Sequence, residues 1–136
     1  MSVFLTGIYS RLINDLTLTA LLSTYGASKG IFSTVPVPED ARPPYIVINL
    51  VNDQPHDSKA TRGREQVWDI GCYAAETGSL SALETIAERV RTLFHRHILT
   101  VTGYTTIIAE ASITPGVNDN QIYGLIVTIR LVMEAS

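Results

Sequence analysis

The chain reads as an α+β domain, an antiparallel (mixed at most) sheet of four to five strands with two helices packed on one face. Three observations predict it. Tyr45–Val51 and Gln66–Ala74 alternate apolar and polar residues as a pair of half-buried strands does. Tyr104–Ile113 and Gln121–Met133 repeat that pattern across a turn-rich Thr114–Asn120 stretch. Between the two pairs, Ser81 and Glu84 form a capping box ahead of Leu83, Ile86, Ala87, Val90, Leu93 and Phe94, the apolar stripe of a helix.

Val3–Leu16 opens the chain with Phe4, Leu5, Ile8, Leu12 and Leu16 at helical spacing, so it should lie on the core as the first helix. Thr19 is placed to cap a short second turn, Ala20–Tyr25, which Gly26 would end. Gly30–Ser33 then has the look of a short strand. Thr34–Pro44 holds Pro36, Pro38, Pro43 and Pro44, which lack amide donors, and it is expected to be a stiff connecting arm. In the last strand Leu125, Val127, Ile129, Leu131 and Met133 share one face, with Thr128 and Arg130 on the other. No crossover to a parallel strand is required except around the Ser81 helix.

The 136 residues make one domain, 1–136, and a chain of this length buries roughly 68% of its unfolded surface. Hydrophobic residues make up 46% and charged ones 17%, the balance of a globular rather than a disordered chain. A net charge of −3 with dispersed Lys and Arg argues against a nucleic-acid surface, which needs clustered cations. Cys72 is the one cysteine, so no internal disulfide forms and a reducing compartment fits. No basic leader precedes an apolar run and no apolar segment approaches a membrane span, so neither secretion nor membrane insertion is expected.

Asp53–Arg64 exceeds an ordinary hairpin loop and is expected to be long and flexible, spanning about 53–65. It carries Lys59, Arg62 and Arg64 against Asp53, Asp57 and Glu65. Trp68 follows at once, and it suits a half-buried sheet position as well as an interface anchor.

Nothing else reads as chemistry. His95 and His97 stand two apart, on different sides of a helix, whereas zinc ligands want a spacing of four, and cations near a helix C-terminus explain them with Arg96. His56 sits in the loop. Cys72 in mid-strand lacks the basic partner or helix N-terminus that activates a thiol, and reads as core. Asp69 and Glu110 are strand carboxylates without a motif. Thr61–Arg64 lacks the lysine, spacing and helix of a phosphate loop. No catalytic residue, cofactor or metal is expected.

Arg42-Pro-Pro-Tyr-Ile-Val-Ile, the Gly-Ile-Phe strand before it, Val-Trp-Asp-Ile after it and the helix Leu-Glu-Thr-Ile-Ala-Glu-Arg-Val-Arg-Thr-Leu together resemble the tail completion, or tail terminator, proteins of long-tailed bacteriophages. The resemblance spans nearly the whole chain. It implies a non-enzymatic virion protein of the tail's neck end, assembled in the host cytoplasm. Such a protein forms a six-membered ring on the tail tube, stops its polymerisation and docks the head connector or stopper. The implied partners are then further copies of itself, the tube protein and that connector. Position and chemistry, rather than any signature, place Asp53, Asp57, Lys59, Arg62, Arg64 and Trp68 at an oligomer or tube interface. Two rivals remain: another neck protein such as a head-to-tail stopper, and a small trimeric α+β enzyme using Arg42, Arg62 or Arg64 with Glu110.

Overall fold

The computed structural model describes residues 3–33, 38, 40–55, 57, 62–75, 81–99, 101–116 and 122–135. In chain order the elements are α1 (Val3–Ile13), α2 (Leu16–Thr19), β1 (Thr24–Tyr25), β2 (Ser28–Lys29), β3 (Ile31–Phe32), β4 (Tyr45–Pro55), β5 (Gly63–Ala75), α3 (Ser81–Phe94), β6 (Tyr104–Pro115) and β7 (Ile122–Ala135). The fold is α+β, with one five-stranded sheet in the order β3-β4-β5-β7-β6 and a separate two-stranded ribbon, β1-β2.

Both long hairpins form as the alternation requires. β4 pairs antiparallel with β5, placing Ile48 opposite Ile70, and β7 lies antiparallel to β5 and β6. The sheet is mixed because β3 runs parallel to β4, Ile31 opposite Ile46. The direct parallel pair thus lies before the first hairpin rather than around α3. Around α3, β5 and β6 do run parallel, but β7 is inserted between them.

One face of the sheet carries the core. Ile46, Ile48, Trp68, Ile70, Cys72, Ala109, Ala111, Val127, Ile129, Leu131 and Met133 point to it, and they meet Phe4, Ile8 and Leu12 of α1 and Leu83, Ile86, Ala87, Val90 and Phe94 of α3 in one cluster. These helix positions recur at three and four residues, so each helix buries one stripe and leaves the other wet.

The start of the chain differs from expectation. α1 stops at Ile13, and the cap is Asp15, whose carboxylate accepts from the Leu18 amide at 2.9 Å. Arg89 of α3 holds the same carboxylate through two bonds, at 2.8 and 2.6 Å. A cap that is also tied to a neighbouring helix outcompetes Thr19, which lies inside α2. Thr24–Tyr25 is then strand, not helix, and Gly26 (φ +59°) opens the two-residue β1–β2 loop, where glycine is favoured. Most of the proline arm, 34–37 and 39, lies outside the described residues. Its end is tied back where the Ser23 amide donates to the Pro44 carbonyl at 2.9 Å.

The Asp53–Arg64 segment also differs: β4 runs on to Pro55 and β5 begins at Gly63, so strand claims both ends of the expected loop. Cross-strand side chains explain the extension. Arg64 faces Pro55 across the pair and bonds Asp53, while Gln54 donates to Glu65 at 3.1 Å. Pairs of this kind hold a polar ladder together at the margin of the core.

Candidate functional site

The far end of the β4–β5 hairpin gathers most of the charged residues singled out in the sequence. Asp53, Gln54, Pro55, Asp57, Arg62, Gly63, Arg64, Tyr104 and Ala135 line an open recess of about 480 Å³. Arg64 is its centre. Its Nε and Nη2 donate to the Asp53 carboxylate at 3.2 and 2.5 Å, and its guanidinium stacks 5.1 Å above the Phe4 ring. The Tyr104 hydroxyl, with Asp53 behind it, raises the proton affinity of Arg64 and keeps it a cation. Phe4 in turn meets Tyr104, ring centroids 4.9 Å apart. The hairpin is thereby clamped to α1 and to the start of β6.

Asp57 accepts from the Gly63 amide at 3.2 Å, and the Arg62 carbonyl accepts from the Ala135 amide at 2.7 Å. Both side chains remain exposed to solvent. Asp53 and Arg64 therefore hold the hairpin's geometry, while Asp57 and Arg62 present charge outward. Lys59 and His56 lie outside the described residues.

Trp68 does not belong to this surface. It is 4% exposed, packed in the core, and its indole N–H donates to the Gln66 carbonyl oxygen at 2.9 Å; Gln66 itself is 1% exposed. The sheet alternation that begins at Trp68 continues through Ile70 and Cys72, so it faces the helices and is not an accessible anchor.

The other polar candidates are engaged in the fold. The Cys72 thiol is fully buried, which pushes its pKa up to about 12. Asp69 accepts from the Thr128 hydroxyl at 2.9 Å. Glu110 stands 3.8 Å from Arg130, whose Nε donates to Glu65 at 2.8 Å. Asp69 and Glu110 thus sit in different rows of the sheet and do not converge. His95 Nδ1 accepts from the Ala111 amide at 3.1 Å, and His97 contacts the His95 carbonyl. Among the described residues no cluster of His, Cys, Asp and Glu could hold a metal, and no helix is long and apolar enough to cross a membrane.

Sequence reasoning passed over Tyr104 and two exposed apolar residues, Val51 and Ile107, at 53% and 51%. Each sits where the strand register slips, between Leu50 and Asn52 in β4 and between Thr106 and Ile108 in β6. The signal was a pair of consecutive apolar residues, Leu50-Val51 and Ile107-Ile108, that breaks strict alternation.

One solved chain, from the virion of a native gene transfer agent particle, superposes with a TM-score of 0.70 over 94% of this chain and 92% of its own, at 16% identity. A second solved chain gives a TM-score of 0.60 over 98% of this chain and 94% of that one, at 13% identity. At these identities the likeness is one of fold. No curated protein matches.

The profile of the family "Tail completion protein gp17" matches residues 6–134. The chain belongs to that tail completion family of phages and is a structural component of the virion.

Proposed function

We propose that the chain is the tail terminator: copies close into a ring, six to a tail, on the end of the tail tube, stop its polymerisation and offer the docking face for the head connector or stopper. The observation that carries this reading is the match to the tail completion family over nearly the whole chain. The charged hairpin end supports it, since Asp57 and Arg62 stand exposed just beyond a strand pair braced by Asp53 and Arg64. We assign Asp53, Asp57, Lys59, Arg62 and Arg64 to contacts with the tube or a neighbouring subunit, the exposed members touching the partner and the paired ones positioning them.

Assembly of this kind works through geometry. One modest contact repeats around an axis, and closure makes the last contacts intramolecular, so a weak pairwise affinity suffices. Weakness is useful, because rings that closed freely in solution would compete with capping at the tube end. The free protein is then largely monomeric when dilute.

Electron microscopy of tails made with and without the chain tests the reading. Uniform, head-competent tails with it and overlong tails without it are expected. Tails of normal length in its absence overturn the assignment.

A further inference from the structure

We propose that neighbouring copies meet side to side, Leu50 and Val51 on the β4 edge of one copy packing against Ile98 and Ile107 on the β6 edge of the next. The proposal rests on the ring reading above and names its repeating contact.

The argument starts from where apolar surface is left over. Among the described residues, the exposed large hydrophobic side chains are Val3 and Leu16 on the helical side, and Leu50 (43%), Val51 (53%), Ile98 (73%) and Ile107 (51%). The last four divide between the two opposite edges of the sheet. β4 has β3 beside it only at Ile46 and Val47, and beyond these no described strand covers it. β6 is the other margin.

Both edges are blunted against strand addition. Val51 and Ile107 are extra residues at register slips, and bulges of this kind spoil an edge as a template for another strand. β6 is further covered by the segment after α3: the Arg96 amide donates to the Ala109 carbonyl at 2.8 Å, His95 accepts from Ala111, and the Thr106 hydroxyl donates to the Leu99 carbonyl at 3.0 Å. Arg96 takes φ +58° to reach its place, a conformation that side chains other than glycine rarely adopt. Yet edges are ordinarily guarded by charged side chains as well as by bulges, and here each bulge turns out an aliphatic side chain. Such an edge refuses continuous backbone pairing while still offering a small apolar contact.

Each edge also carries exposed charge of both signs for the other to meet. Asp57 and Arg62 stand beyond Val51 at the end of the β4 edge, and on the β6 side Arg96 flanks Ile98 with Glu110 in the same recess. A second copy is the occupant because this chain carries both halves of the contact, on opposite sides. Unlike surfaces meeting in that way form a head-to-tail series, which closes as a ring when the rotation between copies divides a full turn, whereas a self-complementary patch stops at a dimer.

Paired cysteines test the contact, since the native Cys72 is fully buried and silent. Val51→Cys and Ile107→Cys, each alone, should give no crosslink on oxidation. Their mixture should give one covalent dimer, and the double variant, read on assembled tails, a ladder that ends in a closed species. A crosslink within either single variant, or tails that carry the double variant without a ladder, overturns the proposal. The exposed Val51→Ser and Ile98→Ser give a second reading by sedimentation. Each should leave the circular dichroism unchanged and weaken self-association about tenfold, and wild-type association in both overturns the contact. Correctly ended tails lacking the crosslink would remove this contact and leave the terminator reading standing. Normal tail length without the chain would remove the terminator reading instead.

Discussion

Replacing Trp68 by Phe separates a core role from a contact role, because the structure gives the indole two measurable duties. Its N–H satisfies the buried carbonyl oxygen of Gln66, and its bulk fills the space between β5 and the helices. Leaving that oxygen without a donor costs about 1–3 kcal/mol. The volume lost from indole to phenyl adds about 1 kcal/mol of cavity at ~24 cal/mol per Å³. At about 2.1 cal/mol/K per residue the unfolding entropy of a 136-residue chain is about 0.29 kcal/mol/K, so a loss of about 3 kcal/mol lowers Tm by about 10 °C. Thermal unfolding followed by far-ultraviolet circular dichroism reads this, since the variant has no tryptophan fluorescence. Gln66→Met completes a cycle: alone it strands the indole N–H, whereas with Trp68→Phe both polar partners are gone. The double variant should therefore be more stable than the summed single losses allow, by about 1–2 kcal/mol. An unchanged Tm in Trp68→Phe together with lost assembly would refute the reasoning and make Trp68 a contact residue.

Three further outcomes follow from the packing. The Cys72 thiol, raised to about 12 by burial, should resist a thiol reagent at pH 8 in the folded protein and react fully once denatured; rapid labelling of the native chain would contradict its place in the core. The Arg89 guanidinium holds the Asp15 carboxyl below its usual value of 3.8. With the folded pKa below the unfolded one, that contribution is complete above pH 3.8 and lost as pH falls through the lower, folded value. Asp15→Ala should cost about 1 kcal/mol at neutral pH through the lost cap, and urea titrations should show the gap to wild type closing in strong acid. Gly116→Ala would set a methyl 2.9 Å from the backbone of Gly124 on the facing strand, and the forced shift should cost about 1–3 kcal/mol, read as a lower urea midpoint.

Alternation and helical spacing were enough to place the two long hairpins, α1, α3 and the buried face of β7. They failed where local rules offered two acceptable answers. Asp15 and Thr19 are both good caps, and only the fold brings Arg89 to Asp15. Asn52–Pro55 and Gly63–Glu65 have the composition of a loop, yet cross-strand partners eleven residues apart keep them in the ladder. Trp68 fitted core and interface equally until its neighbours were known. The parallel seat of β3 depends on a route through the proline arm that no local pattern encodes. Of the candidate site, the charged residues were visible as a cluster. Their division into those that brace the hairpin and those that face outward was not, because it depends on Phe4 and Tyr104, distant in sequence.

That same joining of Phe4, Arg64 and Tyr104 makes the hairpin end a poor hinge. A force applied at Arg64 is therefore shared with the first helix and with the strand that follows α3.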